Sequence, residues 1–281
     1  LRAYDQSVAE KNSKNKGNKM SGRVDGKITI VTGAGTGIGQ ACMVLFGREG
    51  ALVVGVSRTQ SALEETLEMT EEAGGEGMVI AQDLSQLAGA EAVIEATMKR
   101  YGRIDILVQA AGVGWSWGQD QSPGSMEDIA NTTPEHWHEV MSINLDSVFY
   151  MCRGVIPIMQ RQGGGSIVNV ASISGMVGMT TAHTYCAGKG ATINLTRAMA
   201  ATYAMDGIRT NCVCPGFTDT PMIASVMNMF DDKATAAVLT PMQRAGTPQE
   251  MAYGCLYLGS DEASYCNGVV LPIDGGTTAR Q

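Results

Sequence analysis

Tyr185 and Lys189 stand four residues apart in HTYCAGKGA, residues 183–191, a stretch otherwise made mostly of small residues. On a helix, positions four apart share a face, so the phenol and the ammonium would lie side by side. A cation beside a phenol favours the phenolate and lowers its pKa. Such a tyrosine could act as a general acid or base. By itself the pair also fits two surface residues of a helix, and the rest of the chain has to decide.

The chain has 281 residues, is 44% hydrophobic and carries a net charge of −8. That length suits one large α/β domain with a sizeable core. The acidic balance argues against nucleic acid or an anionic membrane as the main partner. There is no run of about 18 apolar residues, so no transmembrane helix is expected. Seven cysteines are scattered, odd in number and without a C-x-x-C pair, which reads as reduced thiols in a cytoplasmic protein. His136, His138 and His183 form no metal-ligand cluster, and no catalytic metal is expected. The polar, lysine- and asparagine-rich start reads as a disordered extension over residues 1–22, with Met20 as a natural start, ahead of one domain over 23–281.

From residue 27 short β-branched runs alternate with helical patterns. ITIVTG, ALVVGVSR, GMVIAQDLS, IDILVQAAG, GSIVNVASISG, IRTNCVCPG and GVVLPIDGG read as strands. Helical stretches separate most of them, including one long helical run from Pro134 to Gln162. Apolar strands joined by crossover helices mean a parallel sheet covered on both faces. The expectation is a three-layer, doubly wound α/β fold of the Rossmann type with a seven-stranded parallel sheet. Ligands of such a fold sit beyond the carboxyl ends of the strands.

TGAGTGIGQA follows the first strand directly and opens the first helix. Glycines there permit a tight turn and let backbone N–H groups approach a pyrophosphate at the positive helix end. That context supports a dinucleotide. The second strand ends in Ser57 and Arg58, with no carboxylate to receive the adenosine ribose hydroxyls and repel a 2′-phosphate. An arginine pairs with phosphate through a planar fork of donors, so NADP(H) is favoured over NAD(H). Arg58 also fits a solvated surface residue. Asp83, beside Leu84, is placed either to accept from the adenine amino group or to cap a helix.

Taken together, these motifs resemble the short-chain dehydrogenase/reductase family, in its single-domain subgroup, from about Gly26 to Gly276. TGAGTGIG matches T-G-x-x-x-G-x-G, QAAG at 109–112 stands where N-N-A-G is usual, and Asn144 lies in INLDS. Ser172 precedes Tyr185 by thirteen residues, CPGFTDT matches P-G-x-x-x-T, and DGG closes the pattern at 274–276. VSRTQSAL further resembles the NADPH-dependent carbonyl reductases of the family. The resemblance implies a tetrad of Asn144, Ser172, Tyr185 and Lys189. In it Tyr185 is the acid for reduction and base for oxidation, its pKa lowered by Lys189. Lys189 also holds the nicotinamide ribose, Ser172 steadies the substrate oxygen, and Asn144 anchors a water. It implies cofactor contacts at Gly33, Thr36, Gly37, Ile38, Gly39, Ser57, Arg58, Asp83, Leu84, Ala111, Gly112, Tyr185, Lys189, Pro215, Gly216, Phe217, Thr218 and Thr220. It also implies a homotetramer. Gln109 and Ala110 replace two asparagines that brace the sheet, and Gln109 alone retains a side chain for that role.

The loop over 113–129, with Trp115 and Trp117, and a helical lid over about 221–246, with Met222 and Met227, are the expected substrate walls, together with Ser174. The same tryptophans and methionines would also serve as packing. No arginine or lysine lies obviously in these stretches before Lys233, which points to a neutral ketone or secondary alcohol. A 3-oxoacyl-thioester reductase and an NAD-dependent alcohol dehydrogenase are the alternatives. A non-catalytic nucleotide-binding protein would have had no need of Ser172, Tyr185, Lys189 and Asn144 together.

Overall fold

The computed structural model describes residues 22–114 and 122–280. Residues 1–21, where the extension is expected, and Trp115 and Trp117 lie outside them. Described structure begins with Gly22 and Arg23, whose guanidinium donates to Glu262 at 2.6 Å, and with buried Val24.

The strands are β1 (Ile28–Thr32), β2 (Leu52–Ser57), β3 (Glu76–Ala81), β4 (Ile106–Gln109), β5 (Gly165–Val170), β6 (Ile208–Pro215) and β7 (Val270–Ile273). The helices are α1 (Gly37–Arg48), α2 (Gln60–Glu72), α3 (Leu87–Tyr101), α4 (Pro134–Met141), α5 (Ser147–Gln162), α6 (His183–Tyr203), α7 (Lys233–Leu239) and α8 (Pro248–Gly259). The sheet runs β3-β2-β1-β4-β5-β6-β7, with every neighbouring pair parallel. This is the expected seven-stranded doubly wound sheet. One apolar layer joins β1, β2 and β6 to α1 and α8 through Val31, Val53, Val213, Phe46 and Leu256. The other packs α3, α5 and α6 on the opposite face through Val93, Val155, Met159 and Met199. The order reverses between β1 and β4, which opens a crevice at the carboxyl ends of the strands.

Three local departures from the sequence reading have physical causes. The helical run from Pro134 is interrupted by one wide π-helical turn, Ser142–Asp146, between α4 and α5. The lid is not one helix: Pro221–Phe230 is a 3₁₀ run, and Asp232 then starts α7 afresh by accepting from the Thr235 N–H at 2.8 Å. Helix α8 was not anticipated, because it is apolar and glycine-containing. Its start is nevertheless written as a capping box, with Thr247 and Glu250 each receiving the other's N–H.

Gln109 braces the sheet as its position suggested. Its buried amide donates to Asn169 Oδ1 at 3.0 Å, and Asn169 Nδ2 donates to Thr196 Oγ1 at 2.8 Å, linking β4, β5 and α6. Gln109→Leu removes the donor and strands a buried carbonyl oxygen. The expected loss is about 1–3 kcal/mol in urea unfolding. Unchanged stability would show that this chain of bonds contributes nothing.

Candidate active site

Ser172, Tyr185, Lys189 and Asn144 are each at most 7% exposed. Ser172 follows β5, and its extended backbone begins a short 3₁₀ turn, Ile173–Gly175. Tyr185 and Lys189 lie in the first two turns of α6, with Lys189 Nζ 5.7 Å from the centre of the tyrosine ring. Lys189 Nζ donates to the Val170 carbonyl at 3.0 Å. Asn144 lies within the π-turn, the kind of interruption that often marks functional sites. Its side chain accepts from the Val113 N–H at 3.1 Å and donates to the Val113 carbonyl at 2.8 Å. A Cβ on Gly112 would stand 2.7 Å from Asn144 Oδ1 and 3.2 Å from Lys189 Nζ, so only glycine lets the chain pass between them.

The electrostatics correct one expectation. The Tyr185 phenol is not lowered by Lys189. Burial pushes it up to about 12, and a hydrogen bond with Ser172 offsets only part of that. Burial also brings Lys189 down to about 8, against the pull of the neighbouring Cys212 and Cys214 thiols. Desolvation disfavours both charged forms, and at this depth it is the largest influence on each. The phenol is therefore protonated across the neutral range, and the lysine titrates close to it.

A groove of about 340 Å³ runs along the carboxyl ends of β1, β2 and β4. Gly33, Thr36, Gly37, Ile38, Gly39, Ser57, Arg58, Asp83, Leu84, Ala111, Gly112 and Thr220 all line it. Gly33 and Gly37 have φ of 69° and 58°, left-handed values that a side chain rarely tolerates. A Cβ on Gly39 would overlap the Gly33 carbonyl, so glycine there lets α1 start against the strand. The shape fits a dinucleotide: a bare backbone turn, a helix N-terminus and a long polar groove. Arg58 is exposed and has no ion pair among the described residues. Asp83 does not cap α3, whose first turn is preceded by Gln86; its Oδ1 accepts from the Ser85 N–H at 3.0 Å.

A second cavity of about 120 Å³ meets the groove at Ile38, Gly112 and Thr220. Ser172, Ser174, Tyr185, Lys189 and Met222 line it, together with Pro215, Gly216, Phe217 and Thr218, which were expected as cofactor contacts. Met227 lines neither space; it lies further along the 3₁₀ run, which turns Ile223 inward instead. Met179, Ile173 and Ile223 complete the wall and were not anticipated. Met179 lies in the irregular stretch before α6, where no periodicity announces which way a side chain faces.

A family model described as enoyl-(acyl carrier protein) reductase matches residues 33–278. The chain belongs to the short-chain dehydrogenase/reductase family. It is a dehydrogenase or reductase acting on CH–OH groups, of a family that binds NAD(P). It is 34% identical to the 3beta-hydroxysteroid dehydrogenase of Mediterraneibacter gnavus over 94% of this chain and 99% of that one. It is 35% identical to the meso-2,3-butanediol dehydrogenase of Serratia marcescens over 92% and 96%. Among solved structures of the family, a variant of actinorhodin polyketide ketoreductase with NADPH superposes with a TM-score of 0.82. That protein is 31% identical, over 90% of this chain and 97% of the other.

Proposed function

We propose that this protein interconverts a neutral ketone and its secondary alcohol with NADP(H), using Tyr185 as the proton donor and acceptor. The observation that carries the reading is the meeting of a glycine-floored groove and a largely apolar cavity at one buried cluster, Ser172, Tyr185 and Lys189. Bound in the groove, the nicotinamide dinucleotide supplies or takes up the hydride. Tyr185 gives its proton to the substrate oxygen on reduction and takes it back on oxidation. Ser172 donates to the same oxygen as negative charge grows on it. Lys189 holds a positive charge behind the phenol and is fixed by Val170. Asn144 ties the π-turn to Val113 and keeps Gly112 close to that lysine.

The four-residue spacing of Tyr185 and Lys189, and relatives named for alcohol and ketone substrates, favour carbonyl chemistry over reduction of an enoyl double bond. Arg58 at the end of the groove, with no carboxylate closing β2, supports NADP(H). A 2′-phosphate would meet its guanidinium fork there. The seven free thiols fit a reducing cytoplasm, and exposed Phe149, Tyr257 and Tyr265 fit burial in a homotetramer.

The test is a fluorescence titration with NADPH and NADH, alongside Arg58→Ala and Arg58→Asp. NADPH is expected to bind at least about 10-fold more tightly, the order of a charge-assisted bond, with both variants losing that preference. Equal or tighter NADH binding would make Arg58 a bystander and the enzyme an NAD-linked dehydrogenase.

A further inference from the structure

We propose that Ser174 selects substrates carrying a second, neutral oxygen one or two carbons from the reacting carbon, such as diketones and hydroxyketones. This rests on the ketone-reductase reading above. Ser174 is 3% exposed and lines the cavity. Its hydroxyl donates to Met179 Sδ at 3.0 Å. A thioether sulfur is a weak acceptor, so this buried donor is held by a partner that almost any oxygen would displace. Of the other hydroxyls on this wall, Thr220 sits where the cavity meets the cofactor groove, away from Ser174's end. Thr218 Oγ1 donates to the Gly216 carbonyl at 3.1 Å, and Ser172 and Tyr185 face the reacting oxygen.

Position sets the reach. The Ser174 N–H donates to Ser172 Oγ at 3.1 Å, so the Ser174 side chain begins beside the group that meets the reacting oxygen. From there its hydroxyl serves an oxygen on the next carbon or the one after, and not a distant one. Met179 is unbranched and can swing aside without opening a void. Charge sets the type. Among the described residues of the cavity wall Lys189 is the one cation, and its Nζ is held at the Val170 carbonyl. A carboxylate at the second position would find no counter-charge, whereas a hydroxyl or carbonyl oxygen needs none. A simple ketone leaves Ser174 on Met179 and strands nothing, so the selection is graded and not absolute.

The test compares kcat/KM for pentane-2,3-dione and pentan-2-one in the wild type, Ser174→Ala and Met179→Leu. Diketones are intrinsically more electrophilic, so the wild-type ratio alone carries no information. The change in that ratio between variants cancels the intrinsic difference. Ser174→Ala is expected to lower the dione-to-ketone ratio about 10-fold, the factor one net hydrogen bond carries. Met179→Leu removes the competing sulfur at similar volume and is expected to raise the ratio. A ratio unmoved by Ser174→Ala, with both ketones still reduced, overturns the selection and leaves the ketone-reductase reading standing. If the wild type reduces neither compound with NADPH or NADH, that reading fails and the selection falls with it.

Discussion

Tyr185→Phe is expected to lower kcat for ketone reduction by roughly 1,000-fold, within the range a positioned general acid contributes, while NADPH still binds. Phenylalanine keeps the ring in place: a Cβ on Gly114 would lie 2.5 Å from Cε2 of Tyr185, so this ring fills the space that glycine leaves. What is lost is the proton. With the phenol held at about 12, the donor is loaded at every pH from neutral upward to that value. Reduction should therefore show no loss from deprotonation of the tyrosine near pH 8, whereas alcohol oxidation, which needs the phenolate, should keep rising with pH. Cofactor titration and initial rates in both directions provide the check. A phenylalanine variant within a few-fold of wild type would remove Tyr185 from the chemistry.

Lys189→Met is expected to do two opposite things. Turnover falls about 100-fold or more, because the charge behind the phenol is gone. Stability near pH 7 rises. A lysine brought from 10.5 to about 8 on burial carries on the order of 3 kcal/mol of penalty in its charged form. Loss of the hydrogen bond to Val170 takes back part of that, leaving about 1–2 kcal/mol. The pH dependence separates this from ordinary repacking. The folded value of Lys189 lies below its unfolded one, so between pH 8 and 10.5 the unfolded chain holds more protons. Wild-type stability therefore gains from Lys189 as pH rises through that window, and the advantage of methionine shrinks accordingly. Tyr185 has the opposite sign: its contribution is intact below pH 10 and is lost as pH climbs towards 12. Urea unfolding at pH 7 and pH 10 reads the difference, and a methionine variant less stable at both would sink the argument.

The sheet was legible because its strands are apolar β-branched runs separated by glycine turns, a local signal. The glycine turn and the Tyr185–Lys189 pair were legible because backbone chemistry and a four-residue helical spacing are local too, whereas Ser172 was legible only through the resemblance to the family. Burial is not local. Adjacency in the sequence pointed to a lowered phenol, and only the depth of the cluster shows that desolvation raises it. Met179 faces the cavity from an irregular stretch, and Ile223 does so from a 3₁₀ run where an α-helix was expected, which also moved Met227 off the wall. The π-turn at Asn144 is one residue wider than helical periodicity, and nothing in SINLD announces it.

The sheet order has a consequence for how the chain comes into being. Strand β1 lies between β2 and β4, with Thr29 opposite both Val53 and Ile106. A growing chain that has emerged only as far as α3 can pair β1 with β2 and β2 with β3. The other edge of β1, paired with β4 in the finished protein, then stands open with its backbone donors and acceptors free to template a strand from another chain. Closing it requires a contact of high sequence separation, which is slow to form. Slow translation ahead of Ile106 should therefore favour aggregation, and the β4 segment is the one whose timely arrival protects the nascent protein.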